Sequence, residues 1–154
     1  MNWKIEPVKQ RQRGVTLIEL LTEMLVLAII ASIAVPSYRR YLLRAQRSDA
    51  KTALLQTQTA EEKFLLQQNT YTANVTGGLP AGLGLTGTSE RGFYNITVVL
   101  TNVAGVPGYT ITAAPGAGSG QADDDKCVSF TLNEQGTRTA LDSGGGDNTA
   151  TCWK

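Results

Sequence analysis

Apolar side chains crowd into one stretch of this chain and alternate with polar ones in another. Between Val15 and Pro36 the residues are apolar apart from a few hydroxyls and two carboxylates, Glu19 and Glu23. A helix over these 22 residues is about 33 Å long, enough to cross a hydrocarbon layer about 30 Å thick. From Ser37 to Gln68 there is neither Gly nor Pro, and good helix formers dominate. Tyr38, Tyr41, Leu42, Ala45, Ala53, Leu54, Thr57, Ala60, Phe64 and Leu65 fall mostly at spacings of three and four, with a weaker turn around Asp49. That periodicity predicts one amphipathic face. The two halves together predict a helix of about 80 Å, kinked at Pro36, where a backbone hydrogen bond is lost and the ring crowds the preceding turn.

Past Tyr71 the pattern changes. Asn74 to Thr88, with Gly77, Gly78, Pro80, Gly82, Gly84 and Gly87, reads as a loop. Tyr94, Ile96, Val98 and Leu100 then alternate with Asn95, Thr97, Val99 and Thr101, the mark of a half-buried strand. After a turn at Gly105–Gly108, Tyr109–Ala113 alternates again, as does Val128–Leu132. Asn133–Gly136 forms a hairpin turn, and Thr137–Leu141 a fourth strand. The expected fold is α+β: an antiparallel sheet of about four strands burying one face on the amphipathic half of the helix. The chain then divides into a basic leader (1–14), an apolar helix (15–36) and a head (37–154). Within the head lie helix 37–68, loop 69–90, and a sheet with a terminal loop over 91–154.

Composition narrows the chemistry. The 154 residues include no histidine, which removes Ser-His-Asp and Cys-His nucleophile systems, histidine-ligated zinc and the commonest general base. An enzyme is not expected, nor a cofactor. The net charge of +1 argues against indiscriminate coating of nucleic acid, leaving only a local basic patch. Cys127 and Cys152 are two separately buried thiols or one disulfide closing a loop of 24 residues, which requires an oxidising compartment. Such a loop contributes roughly 3 kcal/mol on the chain-entropy account.

The apolar segment admits two readings. As a secretory signal peptide it would be cut after Ser32-Ile33-Ala34, releasing a protein that starts at Val35. Glu19 and Glu23 oppose this, since a carboxylate at membrane depth costs at least ~2.5 kcal/mol and calls for a partner or a proton. The alternative is a retained membrane helix. Gly14-Val15-Thr16-Leu17-Ile18-Glu19-Leu20, behind a leader with Lys4, Lys9, Arg11 and Arg13, resembles the class III signal of the type IV pilins.

That resemblance implies a prepilin peptidase that cuts between Gly14 and Val15 and methylates the new amino terminus at Val15, where the family usually has Phe. It also implies that Glu19 offsets the Val15 ammonium between neighbouring subunits, a pairing strengthened by low dielectric. The plainer role for Glu19 is that of a first-turn acid favoured by the helix dipole. Glu23 and Thr22 depart from the family's aliphatic pattern, so Glu23 is either protonated or meets a polar group on a partner subunit. Arg39, Arg40, Arg44, Arg47 and Lys51 read as a solvated face beyond the membrane, or as a surface for lipid phosphate or for acids of adjacent subunits. Removing the leader leaves ten bases against twelve acids, a side-chain balance of −2.

The other end of the chain is similar to minor pilins of the PilE type, through Gln121-Ala122-Asp123, Lys126-Cys127, Thr131-Leu132-Asn133 with Gly136, and Cys152-Trp153. In that family a disulfide encloses the C-terminal loop, which maps to Cys127 and Cys152 with a flexible tip at 143–148. Asp123, Asp124 and Asp125 offer oxygens to calcium but lack the alternating ligand spacing, so an exposed charged turn is the expectation and no metal is assigned. The sequons at Asn74 and Asn95 are given no function.

The resemblance makes the chain a type IV pilus subunit, a minor pilin that primes or caps the fibre and supports twitching motility, adhesion or DNA uptake. Its partners are other pilins, the prepilin peptidase and, before assembly, the inner membrane of a Gram-negative bacterium. The alternatives are a pilin receptor for DNA and a type II secretion pseudopilin. For DNA the exposed half offers only Arg91, Lys126, Arg138 and Lys154, with Trp153 the one nearby indole. Intact mass and N-terminal sequencing of the membrane-extracted protein are expected to find N-methyl-Val15; a chain starting at Val35 would contradict the retained helix.

Overall fold

A 52-residue helix, α1 (Leu17–Gln68), opens the computed structural model, which describes residues 14–154. Nearly all of the expected leader lies outside the described residues. Contacts divide the chain into two units, one running through Arg39 and the other from Arg40 to Lys154.

In the first unit every described side chain is exposed, including Leu17, Ile18, Met24, Leu25 and Ile33. This part of α1 is long and apolar enough to cross a membrane. The hydroxyls of Thr22 and Ser32 donate to the carbonyls of Glu19 and Ile29, three residues back, so they add little unsatisfied polarity. Helical structure continues through Pro36.

In the second unit, α1 packs on a sheet of β1 (Tyr94–Val103), β2 (Val106–Pro115), β3 (Ser129–Asn133) and β4 (Arg138–Leu141), in the order β1-β2-β3-β4 and antiparallel throughout. The register aligns one inward row: Val98 opposite Ile111, Ile111 opposite Leu132, Ala113 opposite Phe130, and Phe130 opposite Ala140. These side chains, with Tyr94, Ile96 and Tyr109, bury against Ala50, Ala53 and Leu54 of α1. The expected α+β architecture is the observed one.

The first hairpin differs from expectation in its turn. Ala104 and Gly105, both at positive φ, make a two-residue connection, and Asn102 Oδ1 accepts from the Gly105 N–H at 3.0 Å. Val106, Pro107 and Gly108 are already in β2. Pro107 fits there because β2 gains its β3 partner only from Thr110 onward, so its missing N–H leaves no bond to β3 unmade. At Gly108 a Cβ would fall 2.8 Å from the Glu134 carboxyl and 2.9 Å from the Thr101 hydroxyl, so a larger residue there would have to displace those side chains.

The buried face of α1 is more polar than its apolar periodicity predicts. Arg47, Asp49 and Glu61 are buried beside Ala50, Ala53, Leu54, Thr57 and Phe64, whereas Tyr38, Tyr41 and Ala45 are exposed. Arg47 is therefore not part of a solvated face. Its Nε and Nη2 donate to Asp124 Oδ2 and Oδ1 at 2.7 and 2.8 Å, a bidentate pair between α1 and the segment before β3. Asp124 follows a single 3₁₀ turn (Gly120–Asp123), and it also accepts from Gln121 Nε2 and the Lys126 N–H. Gln121 Nε2 reaches the Leu43 carbonyl as well. The expected exposed Asp turn is thus corrected at its centre: Asp124 is buried and both its oxygens are engaged.

The buried charges make stability sensitive to substitution and to pH. Asp124→Asn leaves the Arg47 guanidinium buried with its charge unmatched, which should cost about 3–5 kcal/mol, whereas Arg47→Met with Asp124→Leu should recover most of that loss. Thermal unfolding of the two variants decides, and equal destabilisation would contradict the account. Glu61 is fully buried, accepts one hydrogen bond from the Thr72 N–H, and has its other oxygen unpartnered. Burial, ahead of the nearby Glu62 charge, pushes its pKa above the usual 4.5. The folded state therefore resists ionisation of Glu61, and stability drains away as pH rises from 4.5 through the raised folded value. Glu61→Gln should raise Tm at neutral pH and lose that advantage below pH 4.5; a lower Tm at neutral pH would contradict it.

Candidate nucleic-acid interface

The residues singled out in the sequence fall at two places. At the start of α1, Thr16 and Glu19 form a reciprocal cap: Thr16 Oγ1 accepts from the Glu19 N–H at 3.3 Å, and Glu19 Oε2 accepts from the Thr16 N–H at 3.4 Å. This Thr-x-x-Glu arrangement satisfies two of the donors a helix start leaves open, and suits the positive end of the helix dipole. Gly14 and Val15 precede the helix; Glu23 lies one turn beyond Glu19 and is exposed.

The second place is the β4 edge of the head. Cys127 and Cys152 are joined in a disulfide with Cα atoms 5.8 Å apart, both buried. Cys127 lies three residues past Asp124, so the Arg47 pair and the disulfide fix the same short segment. The disulfide in turn holds α2 (Thr149–Cys152), a single turn absent from the sequence expectations. The residues around α2 cap the open edge of β4. Thr149 Oγ1 accepts from the Ala140 N–H at 2.9 Å, the Asn148 N–H donates to the Ala140 carbonyl at 2.9 Å, and Trp153 Nε1 donates to the Thr139 carbonyl at 2.9 Å. An edge capped this way is closed to further strand pairing. The tip at 143–148 is not an open glycine loop: Asp142 Oδ1 accepts from the N–H groups of Gly144 and Gly146.

Basic groups of this region converge. Register places Arg138 opposite Leu132, on the side of the sheet that faces α1, but at the exposed outer end of β4. Its guanidinium carbon lies 5.1 Å from the centroid of the Trp153 ring, and that ring meets Phe130 edge-on at 5.9 Å. Lys51 donates from Nζ to the Lys154 carbonyl at 2.6 Å. Partial burial, then the charges of Arg47 and Arg138, hold the Lys51 ammonium below its usual range. Like charges brought this close, around one indole, form a surface suited to a polyanion. Lys126 sits nearby, lining a groove with Arg44, Asp123 and Asp125. Arg91 is elsewhere, its backbone N–H on Asp49.

Lys51 was legible only as a helix-face base. Its membership of this cluster depends on the C-terminal residues folding back over β4, for which the sequence offered two cysteines and a tryptophan as signals.

Comparison with known proteins gives two family matches. The family described as "Type IV minor pilin ComP, DNA uptake sequence receptor" matches residues 36–131, more than half of the chain. The "Prokaryotic N-terminal methylation motif" matches residues 9–35. "Type IV major pilin protein PilA" of Myxococcus xanthus (strain DK1622) is 34% identical over 79 residues, 50% of this chain and 36% of that protein. "Fimbrial protein EcpC" of Eikenella corrodens is 29% identical over 123 residues, 73% of this chain and 80% of that protein. "Type IV major pilin protein PilE1" of Neisseria gonorrhoeae is 31% identical over 91 residues, 59% of this chain and 41% of that protein. The chain spans about a third of the length of PilA but most of EcpC. The expected closeness to the PilE type is therefore only distant.

Proposed function

The chain belongs to the type IV pilins, in the minor-pilin family described as ComP, and from that premise we propose that it is a pilus subunit that receives DNA. The carrying observation is the match over residues 36–131 to a family described as a DNA uptake sequence receptor. This favours the receptor role over a purely structural minor pilin or a secretion pseudopilin. The approach of Lys51 to Arg138 beside Trp153, with Lys154 next in sequence, supports it physically, because a head with few bases needs them gathered to hold phosphate.

The remaining steps of this reading concern the first unit. Prepilin peptidase cuts between Gly14 and Val15 and methylates Val15. Glu19, which accepts from the Thr16 N–H at the helix start, then offsets the new ammonium of a neighbouring subunit during entry into the fibre. Glu23 meets a polar group of a partner pilin, and Pro36 gives the helix its bend. Before assembly the subunit resides in the inner membrane, and afterwards in the extracellular pilus of a Gram-negative bacterium. Cofactors and catalysis have no part in it.

Detergent-solubilised protein titrated with duplex DNA over a range of salt tests the receptor role. Three phosphate contacts predict a log affinity that falls with log salt at a slope of about −2.7, and selection from a random duplex pool should enrich one sequence. Absence of binding at about 50 mM salt would contradict the proposal.

A further inference from the structure

Arg138 is more lightly committed than Lys51, whose Nζ is engaged by the Lys154 carbonyl. Its side chain makes no hydrogen bond or ion pair among the described residues, and its one side-chain contact of note is the Trp153 ring. A guanidinium over an aromatic face is gripped through its π surface while the N–H groups around its rim stay available, which is the geometry for bidentate contact with a phosphate. Trp153 itself is not free to stack on a base as an open platform. Its Nε1–H is spent on the Thr139 carbonyl, it meets Phe130 in a T-shaped contact, and Arg138 lies over its ring.

Trp153 is anchored through both of its chain neighbours. Cys152, directly before it, is bonded to Cys127; the Trp153 backbone N–H donates to the Thr149 carbonyl at 3.0 Å; and the Lys154 carbonyl after it accepts from Lys51. These ties fix the position of the ring, which packs against the core that includes Cys127 and Cys152. Arg138, Trp153 and Lys154 lie outside the 36–131 span that the family match covers.

We infer that Trp153 is a positioning residue for DNA: its ring holds the Arg138 guanidinium in place at the β4 edge, so that Arg138 contacts a backbone phosphate while the indole itself makes no base contact. This rests on the receptor reading above. Lys51 and Lys154 supply flanking charge. The geometry separates the roles, with Arg138 meeting the ligand and Trp153 acting only through Arg138.

The test is a double-mutant cycle on full-length, detergent-solubilised protein, with duplex DNA affinity measured against salt and Tm measured in parallel. Arg138→Gln should weaken binding about fivefold and reduce the salt slope by about one, because one phosphate contact is lost. Trp153→Leu should weaken it about as much, and the double variant should be no weaker than Arg138→Gln alone. Trp153→Phe, which keeps a π face, should restore most of the affinity and of the slope. If Trp153→Leu fails to fold, Trp153→Met made with and without Arg138→Gln carries the test, since losing the π face should weaken binding only when Arg138 is present. Additive losses, or an unchanged slope in Arg138→Gln, would overturn this inference while the receptor reading stands. Failure of the wild-type chain to bind duplex DNA, or binding to anionic lipid vesicles alone, would overturn both.

Discussion

The bidentate pair between Arg47 and Asp124 is the constraint on which the head is organised. It joins α1 by charge to the segment that runs from the 3₁₀ turn into β3. Its ends are buried, so neither charge is tolerable without the other, and the added bonds from Gln121 and the Lys126 N–H leave the carboxylate satisfied. Three residues further on, Cys127 passes that fixed position to Cys152. The C-terminal turn, the capped edge of β4 and the cluster of Lys51, Arg138 and Trp153 all descend from it.

The two units solve different physical problems with one helix. Up to Arg39 the helix carries its apolar side chains outward and absorbs its hydroxyls into its own backbone, as a segment destined for lipid or for a bundle must. From Arg40 onward the same helix faces a twisted sheet, and its buried stripe holds Arg47, Asp49 and Glu61 among small apolar residues. Polarity of that kind contributes little stability. It specifies one register of helix against sheet, since a slip of a single turn would strand each charge.

Most of the architecture was legible because alternation is a strong signal: Tyr94 to Val98, Tyr109 to Ala113 and Phe130 to Leu132 fall in strands whose apolar rows face inward, whereas Val128 precedes β3 and Leu100, expected in the inward row, is exposed. What escaped was every buried charge. Arg47, Ala50, Leu54, Thr57, Glu61 and Phe64 follow a three-four-three-four-three spacing, so the charged positions are in phase with the apolar ones. A reading that counts hydrophobic residues breaks that stripe at its charged members and sees a weak turn near Asp49. The basic cluster was hidden for a different reason. Lys51 and Arg138 are separated by most of the head in sequence, and only the disulfide, whose pairing the cysteines suggested, brings Trp153 and Lys154 between them. Family resemblance at the amino terminus identified the chain as a pilin; it was less informative about whether DNA is the ligand.

A near-neutral chain does not need to be basic to hold DNA if its few bases are gathered and fixed. The central claim is that this gathering happens at the β4 edge, held by the C-terminal clamp. The most direct measurement is nuclear magnetic resonance of the mature, detergent-solubilised subunit as duplex DNA is added. On the proposed cut after Gly14, Trp3 leaves with the leader, so Trp153 would supply the single indole Nε1–H resonance of the mature chain. That signal and the backbone amides of Lys51 and Arg138 should shift together and saturate with the duplex. Shifts confined to the loop between Asn74 and Thr88, with the indole resonance unmoved, would contradict it.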